Sequence, residues 1–249
     1  MSEEFSSYTV HIDHLLFVTH AVPPERVQYY LPEDLVLDTL PGPENDRLAL
    51  VTVTCCLNRE MRWSPGDQVS LGFHQSTYRT YVRRGEETGV YFLGNYVEKG
   101  VPYYPDQVGM GNTFATEFDV SITFDEETDG YSRYYLEGLS DGGDTIIQIR
   151  SDGAAPEAVL PFRSGEELSR FITGRRVGFY PTPDELLARM RVEHEEMTPV
   201  GAELLAGQFD LWEELSIVHP EEFEAPHSVL LQPRLVMTGF PAEIVPPEG

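Results

Sequence analysis

The sequence contains almost no lysine. Lys99 is the only lysine among 249 residues, and 17 basic residues stand against 42 acidic ones, which gives a formal net charge of -25. The acidic residues are spread along the chain and are not gathered in one tail. Because like charges on a compact surface repel one another and salt screens that repulsion, this composition predicts a halophilic protein, adapted to high ionic strength.

The shortage of positive charge also excludes classes of partner. The chain offers no basic stripe to replace the counterions of nucleic acid, and nothing to attract it to an anionic membrane surface. No apolar run reaches the roughly 18 residues that a transmembrane helix needs. Residues Met1-Ser2-Glu3-Glu4 lack the positive region of a signal peptide, so we expect a cytoplasmic protein.

Cysteine is scarce as well. The two cysteines, Cys55 and Cys56, are adjacent, and neighbours on a strand point to opposite faces, so a disulfide between them would be strained. No further cysteine or suitably spaced histidine completes a zinc site. We therefore expect two buried thiols in a core strand, with no metal and no cofactor.

The hydrophobic pattern predicts many strands and few helices. Strands are expected over 10–18, 48–57, 69–83, 90–96, 113–124, 131–139, 145–150 and 176–180. Short helices are expected after Pro23-Pro24 and from Ser164 to Thr173, with Ser164 as N-cap and Gly174 closing the helix. Residues 185–194 fit a helix or a half-exposed strand, and residues 229–245 read as a strand broken around Pro233 and Pro241.

This arrangement predicts an α+β protein dominated by an antiparallel sheet that curls into a barrel or sandwich. No segment has the composition of a linker, so residues 1–249 are expected to form a single domain.

Several motifs, taken in order, resemble one family. The motifs are HLLFVTHAVPPERVQYYLPEDLVLD at 14–38, the pair Tyr78–Arg83 and Gly89–Leu93, Val101-Pro102-Tyr103-Tyr104, and more weakly Leu230–Phe240. Together they resemble the acetoacetate-decarboxylase-like superfamily, and most closely its uncharacterised YqjF-like branch. The resemblance implies a mainly antiparallel β-barrel with a few short flanking helices and an internal pocket.

The resemblance also implies a chemistry that this chain departs from. Acetoacetate decarboxylase forms a Schiff base through a buried lysine that follows a Tyr/Phe-Pro dipeptide, and desolvation and a neighbouring cation activate that amine. The corresponding stretch here is Tyr104-Pro105-Asp106-Gln107, which carries no amine. Lys99 sits in Val97-Glu98-Lys99-Gly100, an expected exposed turn, where a neighbouring carboxylate holds the pKa of an amine normal or high.

Three other residues are candidates for acid–base catalysis. His20 ends the first strand and His194 matches a histidine of the YqjF-like branch, while Glu117 lies on the strand after the Pro-Tyr segment. The alternatives stay open: His20 could pack at the barrel rim, and Glu117 could be solvated opposite Phe118. A metal triad of His20, His194 and Glu117 is not supported by any ligand spacing.

Four residues are candidates for binding the substrate. Arg79 would hold a carboxylate if it faced inward, and strand alternation places Tyr81 on the same face. Tyr103 and Tyr104 combine an apolar ring with a polar tip that suits a pocket wall. The hypothesis is a pocket protein for a small organic acid or ketone. If it is an enzyme, it is a decarboxylase-like lyase; a non-catalytic binding or structural barrel, a decarboxylase using Lys99, and a homo-oligomer all stay open.

Overall fold

The fold is organised around a ring of strands. The computed structural model describes residues 7–43, 46–64, 71–101 and 110–246. The ring strands are β1 (Ser7–Val22), β4 (Arg47–Ser64), β5 (Leu71–Arg84), β6 (Glu87–Glu98), β10 (Val177–Pro181), β11 (Leu187–His194) and β14 (Ser228–Gly239). Within the described residues, strand pairings run from β5 through β4, β1, β14, β11, β10 and β6 and back to β5.

A second sheet branches from the ring at β6. The C-terminal part of β6 pairs in parallel with the next strand, and three antiparallel pairings extend the sheet outward. Its strands are β7 (Thr113–Asp125), β8 (Gly130–Leu139), β9 (Thr145–Ser151) and β13 (Glu203–Phe209). We call these four strands the side sheet.

The remaining elements are short. The short strands are β2 (Val36–Leu37), β3 (Leu40–Pro41), β12 (Val200–Gly201) and β15 (Glu243–Ile244). The helices are α1 (Glu25–Gln28), α2 (Gly165–Thr173) and α3 (Asp210–Glu214), with a 3₁₀ turn at Pro220–Glu222. No helix in the described part of the chain is both long enough and apolar enough to span a membrane.

Local sequence accounts for the ring strands. The β-branched run over 48–57 lies at the centre of β4, and β5 and β6 form the expected hairpin, with Arg84 paired to Glu87. Gly85 lies in the hairpin turn at a φ of 57°, a conformation that glycine adopts without steric cost. The expected α+β class with a mainly antiparallel β-barrel is confirmed, and two parallel pairings of β6 make the sheet mixed.

Helix α2 has the expected boundaries. The Ser164 side chain accepts a hydrogen bond from the Glu167 backbone N–H at 3.1 Å, and the helix ends at Thr173 before Gly174. Its buried residues Leu168 and Ile172 belong to the apolar cluster inside the ring. The helix therefore lies against the ring interior and presents its C-terminal carbonyl groups there.

An irregularity in β1 decides which of its side chains face inward. Val10 and Ile12 belong to the cluster inside the ring, and after the irregularity the inward residues are Leu15 and Phe17. The pairing of β1 with β4 shifts between Asp13 and Leu16, and His14 has a φ of 55°. In β1, each residue after His14 therefore faces the opposite side of the sheet from the side that an uninterrupted alternation would give it.

Two large apolar layers result, beside a smaller third cluster that includes Val82 and Phe179. One layer lines the inside of the ring, and the other fills the space between the outer surface of the ring and the side sheet. Cys55 belongs to the outer layer and Cys56 to the inner one, and both thiols are free and buried.

Candidate ligand-binding site

A cavity of about 140 Å³ lies inside the ring. Side chains from all seven ring strands and from the end of α2 line it. Most of its wall is apolar, and a few polar groups interrupt that wall. Its size is roughly that of an engineered protein cavity of about 150 Å³ that accommodates benzene.

Arg79 is the central polar group of the cavity. It faces inward from β5, one of the two orientations that the sequence left open. Its guanidinium lies 5.3 Å from the ring centroid of Phe17, and Nη2 donates to the Ile172 carbonyl at 3.3 Å. The Nε atom is buried and has no hydrogen-bond partner among the described residues. A buried guanidinium N–H without an acceptor costs free energy.

Arg175 also lines the cavity, but its charge is balanced. Its Nη2 lies 2.7 Å from Oδ2 of Asp38, and both side chains are largely buried. The guanidinium stacks on Phe171 at 4.5 Å and lies 5.6 Å from the ring centroid of Tyr81. Arg175 is therefore fixed by protein groups, and Arg79 is the less satisfied of the two cations.

His194 lines the same cavity and contacts Arg176. Because a guanidinium only donates, Nε2 of His194 accepts from Arg176, and Nδ1 donates to the Glu195 carbonyl at 2.7 Å. These partners assign the neutral imidazole with its proton on Nδ1. Burial lowers the pKa of His194, and the charges of Arg176 and Arg79 lower it further, against the raising effect of the Glu195 carbonyl. Both ring nitrogens are thus engaged by protein groups.

The other polar lining groups are neutral. Thr54 and Thr77 share a hydrogen bond of 2.7 Å, and Asn58 donates to Gln75 at 3.0 Å. Burial raises the pKa of the Cys56 thiol to about 12, so it is protonated at neutral pH. No aspartate or glutamate occurs among the lining residues that the structure describes. The same residues contain no group of three His, Cys, Asp or Glu side chains placed to hold a metal ion.

His20 does not line this cavity, and of the two roles that the sequence left open its position agrees with packing rather than with acid–base catalysis in the cavity. Its side chain packs edge-on against Phe209, and Nε2 donates to the Phe223 carbonyl at 3.2 Å, on the outer side of the ring. An uninterrupted alternation from Ile12 would place His20 inside. The irregularity at His14 reverses the alternation and turns His20 outward.

Lys99 and Glu117 lie together on the surface. Lys99 Nζ is 2.6 Å from Glu117 Oε1, and more than half of each side chain is exposed. The hydrogen bond to Glu117 and its charge raise the pKa of Lys99. Neither residue reaches the cavity, so a metal triad or an acid–base set containing Glu117 is not assembled there.

Tyr81 lies beside Arg79, as the alternation of β5 predicts. Its hydroxyl group donates to the Ile172 carbonyl at 3.3 Å and is 3.0 Å from Thr52 Oγ1. It therefore supports the carbonyl that holds Arg79. Tyr103, Tyr104 and the stretch Tyr104-Pro105-Asp106-Gln107 lie outside the described residues.

Sequence reasoning missed Arg175 and Arg176. Both follow Gly174, which ends α2; Arg175 lines the cavity, and Arg176 contacts His194, which lines it. The signal was present in the sequence: adjacent arginines beyond a helix end are unusual in a chain with only 17 basic residues.

Comparisons with known proteins agree with this fold. Acetoacetate decarboxylase from Legionella pneumophila superposes with a TM-score of 0.58 at 14% identity, covering 96% of this chain and 87% of that one. An acetoacetate decarboxylase-like enzyme from Sphingomonas wittichii RW1 gives 0.58 at 13% identity, covering 96% and 93%. The enduracididine biosynthesis enzyme MppR, complexed with pyruvate, gives 0.51 at 12% identity, covering 96% and 90%.

These similarities confirm the acetoacetate-decarboxylase-like fold. No curated protein matches the sequence significantly. The family DUF2071, described as an uncharacterized conserved protein, matches residues 9–235, which is most of the chain. The chain therefore belongs to the family DUF2071.

Proposed function

We propose that the protein binds a small organic acid, keto acids included, in the cavity, with Arg79 holding the carboxylate and without a Schiff base. One observation carries the proposal. The Arg79 guanidinium lies in an apolar cavity with an unpartnered Nε, and no described carboxylate of the protein lines that cavity. A carboxylate ligand would supply both the missing acceptor and the missing negative charge.

The surroundings favour binding over catalysis. His194 has both nitrogens engaged, the Cys56 thiol is protonated, and the described wall has no carboxylate to transfer a proton. The only lysine of the sequence, Lys99, is exposed and paired with Glu117, which raises its pKa, whereas an imine-forming amine needs a lowered one.

The test is isothermal titration calorimetry in molar potassium chloride, which screens the acidic surface. A panel of carboxylic acids of roughly benzene size, 2-oxo and 3-oxo acids among them, is titrated alongside the matching primary amides. We expect acids to bind and their amides to bind at least about tenfold more weakly, because the amide loses a charge-assisted hydrogen bond.

Two variants separate Arg79 from a general loss of positive charge. Arg79→Gln should raise the Kd of the acids about tenfold or more, while Lys99→Gln, which removes one positive charge at the surface, should leave it within about twofold. Equal binding of acids and amides, or an unchanged Kd in folded Arg79→Gln, would refute the proposal. Loss of binding in Lys99→Gln alone would favour the lysine-dependent alternative.

A further inference from the structure

Every methionine beyond Met1 lines the cavity. The sequence has six methionines, and the five others come from β4, β11, β14 and two connecting segments. These five are Met61, Met110, Met190, Met197 and Met237. No sequence periodicity brings them together; the fold does. We call them the methionine wall.

Part of the methionine wall forms a row across four strands. Met61 of β4 pairs with Val10 of β1, Val10 pairs with Met237 of β14, and Met237 pairs with His194 of β11. All four side chains line the cavity. Because adjacent strands are about 4.8 Å apart, Met237 is an immediate neighbour of His194, and Met61 lies about 10 Å from Met237 and about 14 Å from His194 along the row. The thioether group of Met237 therefore lies next to the polar side of the cavity, and that of Met61 lies farther along the row.

Methionine is an unusual choice for this wall. In ordinary cores it fills irregular gaps, because its chain is flexible and conforms to its neighbours. Here five methionines surround a space of about 140 Å³ that they leave open. Their sulfur atoms are polarizable and make favourable contacts with aromatic rings, which leucine cannot make. Phe17, Phe92 and Tyr8 contribute rings to the same wall.

We propose that the acid bound at Arg79 is an aromatic carboxylate whose ring lies against the methionine wall. This inference rests on the proposed function, since Arg79 holds the carboxylate. The carboxylate lies at the polar side formed by Arg79 and His194, and the ring extends along the row toward Met61. A benzene ring matches the cavity volume, and the flexible thioether groups can adjust to its faces and edges.

The experiment compares benzoate with cyclohexanecarboxylate by calorimetry at about pH 8, where both are fully ionised. The two share a carboxylate and a six-carbon ring, but the saturated ring is the more hydrophobic. Simple apolar burial thus favours cyclohexanecarboxylate, whereas sulfur–aromatic contacts favour benzoate. We expect benzoate to bind about threefold to tenfold more tightly.

A double variant, Met61→Leu with Met237→Leu, tests the cause, because leucine conserves volume and lacks the sulfur. We expect the preference for benzoate to fall below about twofold, with the Kd for cyclohexanecarboxylate unchanged within about twofold as internal control. If cyclohexanecarboxylate bound the wild type as tightly as benzoate or more tightly, or if the preference for benzoate survived in the double variant, this inference would be overturned and the proposed function would stand. Absence of binding by both acids, when other carboxylic acids of the panel bind, would also overturn the inference, whereas absence of binding by every acid of the panel would remove the proposed function.

Discussion

Arg79 and Arg175 place two guanidinium groups in the wall of one cavity of a very acidic molecule, and Asp38 balances the charge of Arg175. The formal net charge of -25 repels anionic ligands at a distance, so these ligands gain nothing from long-range steering. The guanidinium groups act at short range, inside a wall of low polarity where salt screens them less than it screens surface charges. Specific anion binding within such a chain therefore depends on the cavity itself.

The pKa of His194 makes ligand binding depend on pH. Burial and the adjacent arginines hold that pKa below its usual value of 6.5, so His194 is neutral at pH 7. A bound carboxylate favours the protonated ring, in which Nε2 carries a proton and no longer accepts from Arg176, and this raises the pKa. Binding is then linked to proton uptake, and the affinity should rise as the pH falls toward the lowered pKa of His194 in the free protein, by no more than about tenfold per pH unit for one proton.

Calorimetry over a pH series, restricted to acids that stay ionised throughout, checks this expectation. His194→Gln keeps an amide in place of the imidazole and does not titrate, so its affinity should be flat over the same range. A wild-type affinity that is independent of pH, or a slope that persists in His194→Gln, would contradict it.

At the scale of elements, the sequence predicted the positions of most strands and helices, because alternation and capping are local signals. The central run of β4, the β5–β6 hairpin and the Ser164 cap of α2 all follow from neighbouring residues. Residues 185–194 were ambiguous because their composition favours a helix. In the structure, residues Leu187–His194 form strand β11, because they pair with β10 and β14.

Nonlocal pairing explains what the sequence could not show. Strand β14 continues through Pro233. Its neighbours in β14, Gln232 and Arg234, pair with Leu15 and Asp13 of β1. The proline therefore lies opposite His14, where β1 is irregular. A residue without an N–H is tolerated at such a position. The same irregularity turns His20 away from the cavity, so one local feature of β1 explains both the continuous β14 and the position of His20.

The N-cap of α2 supports a helix whose C-terminal end holds Arg79. Ser164→Ala removes the hydrogen bond to the Glu167 N–H and should lower the free energy of unfolding by about 1 kcal/mol, measured by urea denaturation. Ser132→Ala, an exposed serine on β8, is the matched control and should change it by no more than about 0.5 kcal/mol. Equal effects of the two substitutions would refute the capping role.

At the scale of the whole molecule, the main electrostatic feature is the formal net charge of -25, from 42 acidic and 17 basic residues. Self-repulsion of this charge destabilises the compact state and is screened as the Debye length falls from about 10 Å at 0.1 M salt to about 3 Å at 1 M. We expect the free energy of unfolding to rise by at least about 1 kcal/mol over this range of potassium chloride.

Urea is the suitable denaturant for this measurement, since it leaves the ionic strength unchanged. The same titration in sorbitol serves as a control for effects unrelated to charge. If the urea midpoint were the same at 0.1 M and 1 M salt, the expectation of a halophilic protein would be wrong.

The pairing of β1 with β14 has a consequence for biosynthesis. These partners, Ser7–Val22 and Ser228–Gly239, stand near opposite ends of the described chain, and their pairing is one of the contacts that closes the ring. At about 5–20 residues per second, the ribosome needs on the order of ten to forty seconds to make the intervening segment. During that interval β1 has an open edge and the apolar cavity wall is incomplete. We therefore expect nascent chains to expose an edge that can pair with other chains until the last strand emerges.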